Sequence, residues 1–141
     1  MRFAFVGMLA VLAGCSDDAS PEQQVRAVID SMEVAAEARD VGDLMEHVSP
    51  AYRSADGLDS AEAARYLRGY FVANQSIHLL TRIESLEFPT PDAARVKLQV
   101  GMAGRGAQGA ADLSADLYDF DVALVREDGE WKVSYAAWRA H

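Results

Sequence analysis

Residues that could carry acid–base chemistry are few in this chain of 141 residues. Its three histidines, His47, His78 and His141, lack the spacing of three or four positions that lets a helix present two of them to a metal ion. Asp119 and Asp121 lie two positions apart in a predicted strand, so they share a face and could form a carboxylate pair. We assign no catalytic residue: His78 and Asp119 are the candidates, and a surface position is the preferred interpretation of each.

A glycine-rich segment at positions 104–109 reads GRGAQG and fits the G-x-G-x-x-G pattern. Dinucleotide binding requires a helix directly after that pattern, with its N-terminus facing the pyrophosphate. The residues that follow alternate as a strand does, so positions 104–112 are interpreted as a hairpin loop. The sequence predicts no cofactor and no metal site.

Aromatic side chains are numerous for so small a domain, and most should be buried, since each covers about 150–250 Å². Ala136 and Ser134 share a predicted strand face with Trp138, and such small neighbours leave room for a cavity or a dimer contact. The candidates for lining a ligand pocket are Tyr52, Tyr66, Tyr70, His78, Tyr118 and Trp138.

Three helices are predicted before these strands. A capping box of Ser20 and Gln23 opens the first, whose apolar face excludes Glu33 and other polar residues on the opposite side. Asp43 is placed to cap a short second helix, which Pro50 stops. The sequence at positions 59–62 opens a third helix that runs to about position 74.

From Ile77 onward the apolar period changes from 3.6 to 2, which predicts four long strands joined by short turns, with at most a short strand around Tyr52. The alternation slips by one residue at positions 84–85 and again at 117–118, which predicts two β-bulges. The fold class is therefore α+β, with N-terminal helices packed on a strongly curved antiparallel sheet. Such a sheet encloses a cone-shaped cavity, which is the default ligand site.

The N-terminus has the features of a secretory targeting sequence. Arg2 precedes an apolar run at positions 3–13, which is shorter than the about 20 residues of a membrane span but typical of a secretory signal. Positions 12–15, LAGC, resemble the bacterial lipobox, which implies that Cys15 becomes the acylated N-terminus. We predict a signal peptide at 1–14, a lipidated cysteine and short tether at 15–20, and one domain at 21–141.

Charge and the residue after the cysteine bear on location and partners. Lys and Arg total 13 against 22 Asp and Glu, a net charge of −9 that disfavours nucleic acid as a partner. Ser16 resembles the sorting signal for the outer membrane of Gram-negative bacteria, where aspartate would resemble retention in the inner membrane. We therefore expect a cell-envelope protein, lipid-anchored at the periplasmic face of the outer membrane.

Three short segments carry a family resemblance: positions 38–44 (ARDVGDL), 48–52 (VSPAY) and 128–133 (DGEWKV). With the order of helices and strands, they resemble the nuclear transport factor 2-like (SnoaL-like) superfamily over roughly residues 21–139. That superfamily includes ketosteroid isomerases, dehydratases, cyclases, epoxide hydrolases, transport factors and non-catalytic pocket domains. Resemblance to the ketosteroid isomerases implies a tyrosine on the first helix that donates a hydrogen bond to the substrate oxyanion. The apolar face of the first helix here, with Val25 and Ile29, has no tyrosine.

We therefore expect a membrane-anchored domain whose pocket binds a small apolar ligand or an envelope protein without catalysis. The alternative is an isomerase, dehydratase or hydrolase acting in the cone cavity, using a tyrosine or His78 together with Asp119. It requires at least two of these polar groups to meet inside one cavity. A homodimer through the sheet face is a third possibility.

Overall fold

The computed structural model of this chain describes residues 19–106 and 113–141. The predicted signal peptide, Cys15 and positions 107–112 of the predicted hairpin loop lie outside the described residues. No helix within the described ranges is long and apolar enough to cross a membrane. The helices are α1 (Pro21–Glu37), α2 (Val41–Met45) and α3 (Ser60–Ala73), and the strands are β1 (Val48–Ser54), β2 (Asn74–Thr90), β3 (Ala93–Gly106), β4 (Leu113–Glu127) and β5 (Glu130–Ala140).

Two helices begin at the caps that the sequence predicts. The Ser20 hydroxyl accepts a hydrogen bond from the backbone N–H of Gln23 at 3.2 Å, and the Gln23 side chain accepts one from the Ser20 backbone at 3.0 Å. Asp59 accepts from the backbone N–H of Glu62 at 2.8 Å and so starts α3. These side chains satisfy backbone donors that would otherwise have no partner in the first turn.

The segment around α2 differs from its prediction. Asp40, and not Asp43, caps the helix: its carboxylate accepts from the backbone N–H of Asp43 at 3.0 Å. The helix ends at Met45, and the chain continues as β1, with Pro50 inside the strand. A proline is tolerated here because β1 is an edge strand and its pairing is irregular between Val48 and Arg53.

The sheet has five strands in the order β1-β5-β4-β3-β2: the four predicted long strands, and β1, which contains the short strand allowed around Tyr52. β2 to β5 are antiparallel to their neighbours, whereas β1 runs parallel to β5. The sheet is curved and open, and the α+β class with N-terminal helices is confirmed.

One predicted bulge is confirmed and the other is wrong. The pairing of β2 with β3 shifts register between Ile83 and Ser85, as the broken alternation indicates. No shift occurs at Leu117 and Tyr118, because β3 and β4 pair without interruption along their length. Leu117 is simply an apolar residue on the outer face, 41% exposed.

A further register shift, which was not predicted, lies in β5. Leu124 pairs with Val133, whereas the preceding Ala123 pairs with Tyr135, which leaves Ser134 as the extra residue. An extra residue reverses which positions face inward. The inward side chains of β5 are therefore Trp131 and Val133 before the bulge, and Ala136 and Trp138 after it.

The main core lies between α1 and the inner face of the sheet. Val25 and Val96 are fully buried there, as is Leu124, and Trp131 is 4% exposed. The indole N–H of Trp131 donates to the Gln24 side-chain oxygen at 3.0 Å, which fastens the start of α1 to β5. A smaller cluster joins the helices to β2 and contains Ala35, Leu44, Phe71 and Ile77.

Candidate functional site

A cavity of about 310 Å³ lies between the helices and the inner face of the sheet. Its wall is predominantly apolar, and all three helices contribute to it. The helical lining includes Ile29, Met32, Glu33, Ala36, Leu44, Met45, Ala63, Tyr66, Leu67, Tyr70 and Phe71. The sheet contributes Val48, Tyr52, Ile77, Leu79, Thr81, Leu98, Val100, Met102, Tyr118, Phe120, Val122, Val133, Ala136 and Trp138.

Four of the lining rings form a continuous aromatic wall, composed of Tyr66, Trp138, Phe120 and Tyr118. Trp138 stacks on Phe120 at a centroid distance of 6.0 Å and an interplanar angle of 26°. Tyr66 approaches Trp138 at 6.5 Å, and Tyr118 meets Phe120 edge-on at 6.4 Å. Tyr66 is 56% exposed, so the aromatic wall reaches from the cavity to solvent.

Two tyrosine hydroxyls in the lining are held in their neutral, donating form. Burial is the main cause that raises the pKa of both Tyr52 and Tyr70, and the neighbouring Tyr118 raises that of Tyr70 further. The Tyr70 hydroxyl donates weakly to the Met102 sulfur at 3.8 Å. Because a tyrosine ordinarily ionises near about pH 10, these groups offer hydrogen bonds to a ligand at neutral pH.

Glu33 is the one carboxylate among the described residues that line the cavity. It follows the buried Ile29 by four positions, and residues so spaced lie on the same side of a helix. The sequence analysis placed Glu33 on the polar face of α1, so its position in the lining was missed. The four-residue spacing from Ile29 is the sequence signal that could have placed Glu33 beside the cavity. Glu37, one turn after Glu33, is exposed and lies on the polar face of α1.

Five of the six predicted pocket residues line the cavity, namely Tyr52, Tyr66, Tyr70, Tyr118 and Trp138. The sixth, His78, does not. It lies between Ile77 and Leu79 on β2, and alternation along a strand sends its side chain to the opposite face. That side chain is 78% exposed, and its Nδ1 is 4.0 Å from a carboxylate oxygen of Glu37.

Asp119 also lies outside the cavity, because β4 turns Tyr118 and Phe120 inward. One carboxylate oxygen is 3.1 Å from His141 Nδ1 and 3.8 Å from Arg139 Nε. The hydrogen bond with His141 is the main cause that lowers the pKa of Asp119. The structure therefore does not bring the catalytic candidates His78 and Asp119 together in the cavity. In residues 19–106 and 113–141, no three His, Cys, Asp or Glu side chains lie close enough together to hold a metal ion.

A second depression of about 430 Å³ lies outside the cavity, beside α1 and α2. It is more open to solvent, and its lining carries Asp30, Asp43, Glu46 and His47 but no aromatic ring other than that imidazole. The cavity between the helices and the sheet is the better site for an apolar ligand, because its wall is aromatic and aliphatic.

Helices over a curved sheet, with an apolar cavity between the two layers, define an α+β fold with an internal pocket in the described residues. This fold is that of the nuclear transport factor 2-like (SnoaL-like) proteins. No protein-family model and no curated protein matches the sequence.

Solved structures of low sequence identity share this fold. A scytalone dehydratase-like protein from Novosphingobium aromaticivorans superposes with a TM-score of 0.78 at 13% identity, over 85% of this chain and 83% of that one. A dehydratase-like protein of the nuclear transport factor 2-like family from Streptomyces avermitilis gives 0.73 at 15% identity, over 85% and 95%. A hexachlorocyclohexane dehydrochlorinase from Novosphingobium barchaimii gives 0.72 at 14% identity, over 85% and 86%.

Proposed function

We propose that the domain binds a small apolar ligand in its cavity and that lipidation of Cys15 holds it at a membrane of the cell envelope. The observation that carries the first part is the cavity of about 310 Å³ with its aliphatic and aromatic lining. Ligand pockets of proteins have volumes of roughly 300–1,000 Å³ and are lined in this way, with a few polar groups that orient the ligand. Here the neutral hydroxyls of Tyr52 and Tyr70 provide such groups.

The membrane part of the proposal rests on sequence. Positions 12–15 resemble a lipobox, and Cys15 is the only cysteine of the chain. An acylated cysteine would lie four positions before Ala19, so the tether spans at most about 14 Å and keeps the domain near the lipid. Ser16 favours the periplasmic face of an outer membrane.

A fluorescence titration tests ligand binding. The lipid-free mature chain, residues 15–141 with Cys15→Ser, is titrated with N-phenyl-1-naphthylamine, a neutral apolar dye that brightens in apolar surroundings. We expect saturable binding of one dye per chain. Ala36→Phe fills the cavity and should weaken binding by about tenfold, since an added ring in a packed site displaces its neighbours.

Ala27→Phe is the matched control, because Ala27 lies on the same helix and is exposed. It should bind the dye as the unmodified chain does. Dye fluorescence that does not saturate, or that Ala36→Phe leaves unchanged, contradicts ligand binding in this cavity.

An enzyme of the dehydratase or dehydrochlorinase type is the second candidate, and the names of the structural neighbours favour it. An elimination needs a base that takes a proton from carbon and donors that steady the leaving group. In the described lining these would be the Glu33 carboxylate and the tyrosine hydroxyls, in place of His78 and Asp119.

Incubation with scytalone and with hexachlorocyclohexane tests that candidate. Loss of water from scytalone, followed by absorbance, or release of chloride, followed by ion chromatography, would support it when Glu33→Gln abolishes the activity. Rates equal to those of buffer with both compounds would count against it and leave the binding proposal standing.

A further inference from the structure

The cavity carries an unbalanced charge. Glu33 lies in its lining and is only partly exposed, and no described residue forms a salt bridge with it. Transfer of a carboxylate from water toward apolar surroundings costs free energy unless a cation or hydrogen-bond donors compensate it. A positive group beside Glu33 would compensate its carboxylate.

The protein itself supplies no such group. Among the described residues that line the cavity, none is a lysine, arginine or histidine. The chain as a whole has a net charge of −9, which adds to a potential that attracts cations and repels anions. A fatty acid or a phosphate ester would meet repulsion from Glu33 and find no basic partner in that lining.

The rings around the cavity suit the same ligand. Aromatic faces are electron-rich, and a cation within about 6 Å of a ring centroid is attracted to them. Tyr66, Tyr70, Tyr118, Phe120 and Trp138 all contribute to the lining. A lining that holds both aromatic rings and a carboxylate combines apolar contact with attraction for an ammonium group.

We propose that the ligand class of this cavity is the lipophilic ammonium ion: an apolar body with one positively charged nitrogen, whose counter-ion is Glu33. This inference rests on the proposed function and names its ligand. The apolar body contacts the aliphatic part of the lining, and the ammonium group lies between the Glu33 carboxylate and the rings.

Three probes that share one ring system test the charge alone. The lipid-free mature chain is titrated by calorimetry at pH 7 with 1-naphthylmethylammonium, 1-naphthalenemethanol and 1-naphthoate. We expect the ammonium probe to bind about tenfold more tightly than the alcohol, and the carboxylate to bind most weakly. Glu33→Gln should bring the ammonium probe to the affinity of the alcohol and leave the alcohol unchanged.

Glu37→Gln is the matched control, because Glu37 lies one turn later on α1 and does not line the cavity. It should preserve the preference for the ammonium probe. Equal binding of the alcohol and the ammonium ion would overturn this inference while leaving the apolar cavity supported, as would a preference that survives Glu33→Gln. Binding of none of the three probes would overturn both the inference and the proposed function.

Discussion

The indole of Trp138 stacks on the phenyl ring of Phe120, with ring centroids 6.0 Å apart and planes inclined by 26°. The bulge at Ser134 makes this contact possible, because it turns Trp138 to the inner face of β5. Offset stacking of this kind contributes about 0.5–1.5 kcal/mol beyond the burial of area. The pair forms the centre of the aromatic wall.

Trp138→Ala should therefore weaken binding of 1-naphthalenemethanol by about tenfold, since the ligand loses a stacking surface and Phe120 loses its neighbour. Phe88→Ala is the control: Phe88 also packs against a tryptophan, Trp131, at 5.8 Å, but it does not line the cavity. Calorimetric titration of both variants provides the measurement. A Phe88→Ala affinity as low as that of Trp138→Ala would mean that general loosening, and not the aromatic wall, determines binding.

Local signals in the sequence predicted much of the fold. The capping residues Ser20 and Asp59 act within one helical turn, and the alternation that begins at Ile77 follows from the geometry of a single strand. Five of the six candidate pocket residues lie in the lining. The inward faces of Tyr70 and Tyr118 can be read from the periodicity of their own elements, whereas Trp138 reaches the lining through the bulge at Ser134.

Features that depend on distant partners were not predictable in this way. β1 runs from Val48 to Ser54 because its edge pairs with β5, about eighty positions later, whereas its own residues, including Pro50, indicate at most a short strand around Tyr52. The bulge at Ser134 is set by pairing with β4, and the alternation of β5 gives no sign of it. Glu33 reads as a surface residue because periodicity cannot show that a cavity extends to the border of an apolar face.

Gln24 fastens α1 to the sheet, and its loss should be measurable as a change in stability. Gln24→Leu removes the acceptor of the Trp131 indole N–H, bonded at 3.0 Å, and leaves a buried donor without a partner. We expect the free energy of unfolding to fall by about 1–2 kcal/mol in urea denaturation followed by tryptophan fluorescence. Gln75→Leu, at an exposed position of β2, should change it little. The Gln24 side-chain oxygen also accepts from Arg126 at 3.4 Å, so equal stability of the two variants would show that neither hydrogen bond contributes.

Cys15→Ala should release the protein from the membrane fraction, because an alanine cannot carry the acyl chains that anchor a lipoprotein. Ser16→Asp keeps the cysteine and should move the protein from the outer to the inner membrane in a Gram-negative host. Fractionation on a sucrose gradient, with immunodetection, measures both. Membrane association of Cys15→Ala equal to that of the unmodified chain contradicts the anchor, and an unchanged gradient position of Ser16→Asp contradicts the sorting signal.

Asp119 links stability to pH through its contact with His141. That hydrogen bond at 3.1 Å lowers the pKa of Asp119 in the folded state, so the ionised carboxylate stabilises the fold above its ordinary pKa of about 4. The contribution is lost as the pH falls through the lowered value. The melting temperature of the unmodified chain should therefore exceed that of Asp119→Asn at pH 6, and the difference should shrink toward zero as the pH approaches 2. Asp121→Asn, which alters an exposed carboxylate on the same face, is the control. Only an ionisable group can make the difference in melting temperature vary with pH. If the difference between Asp119→Asn and the unmodified chain is constant with pH, the carboxylate acts by its shape and not by its charge.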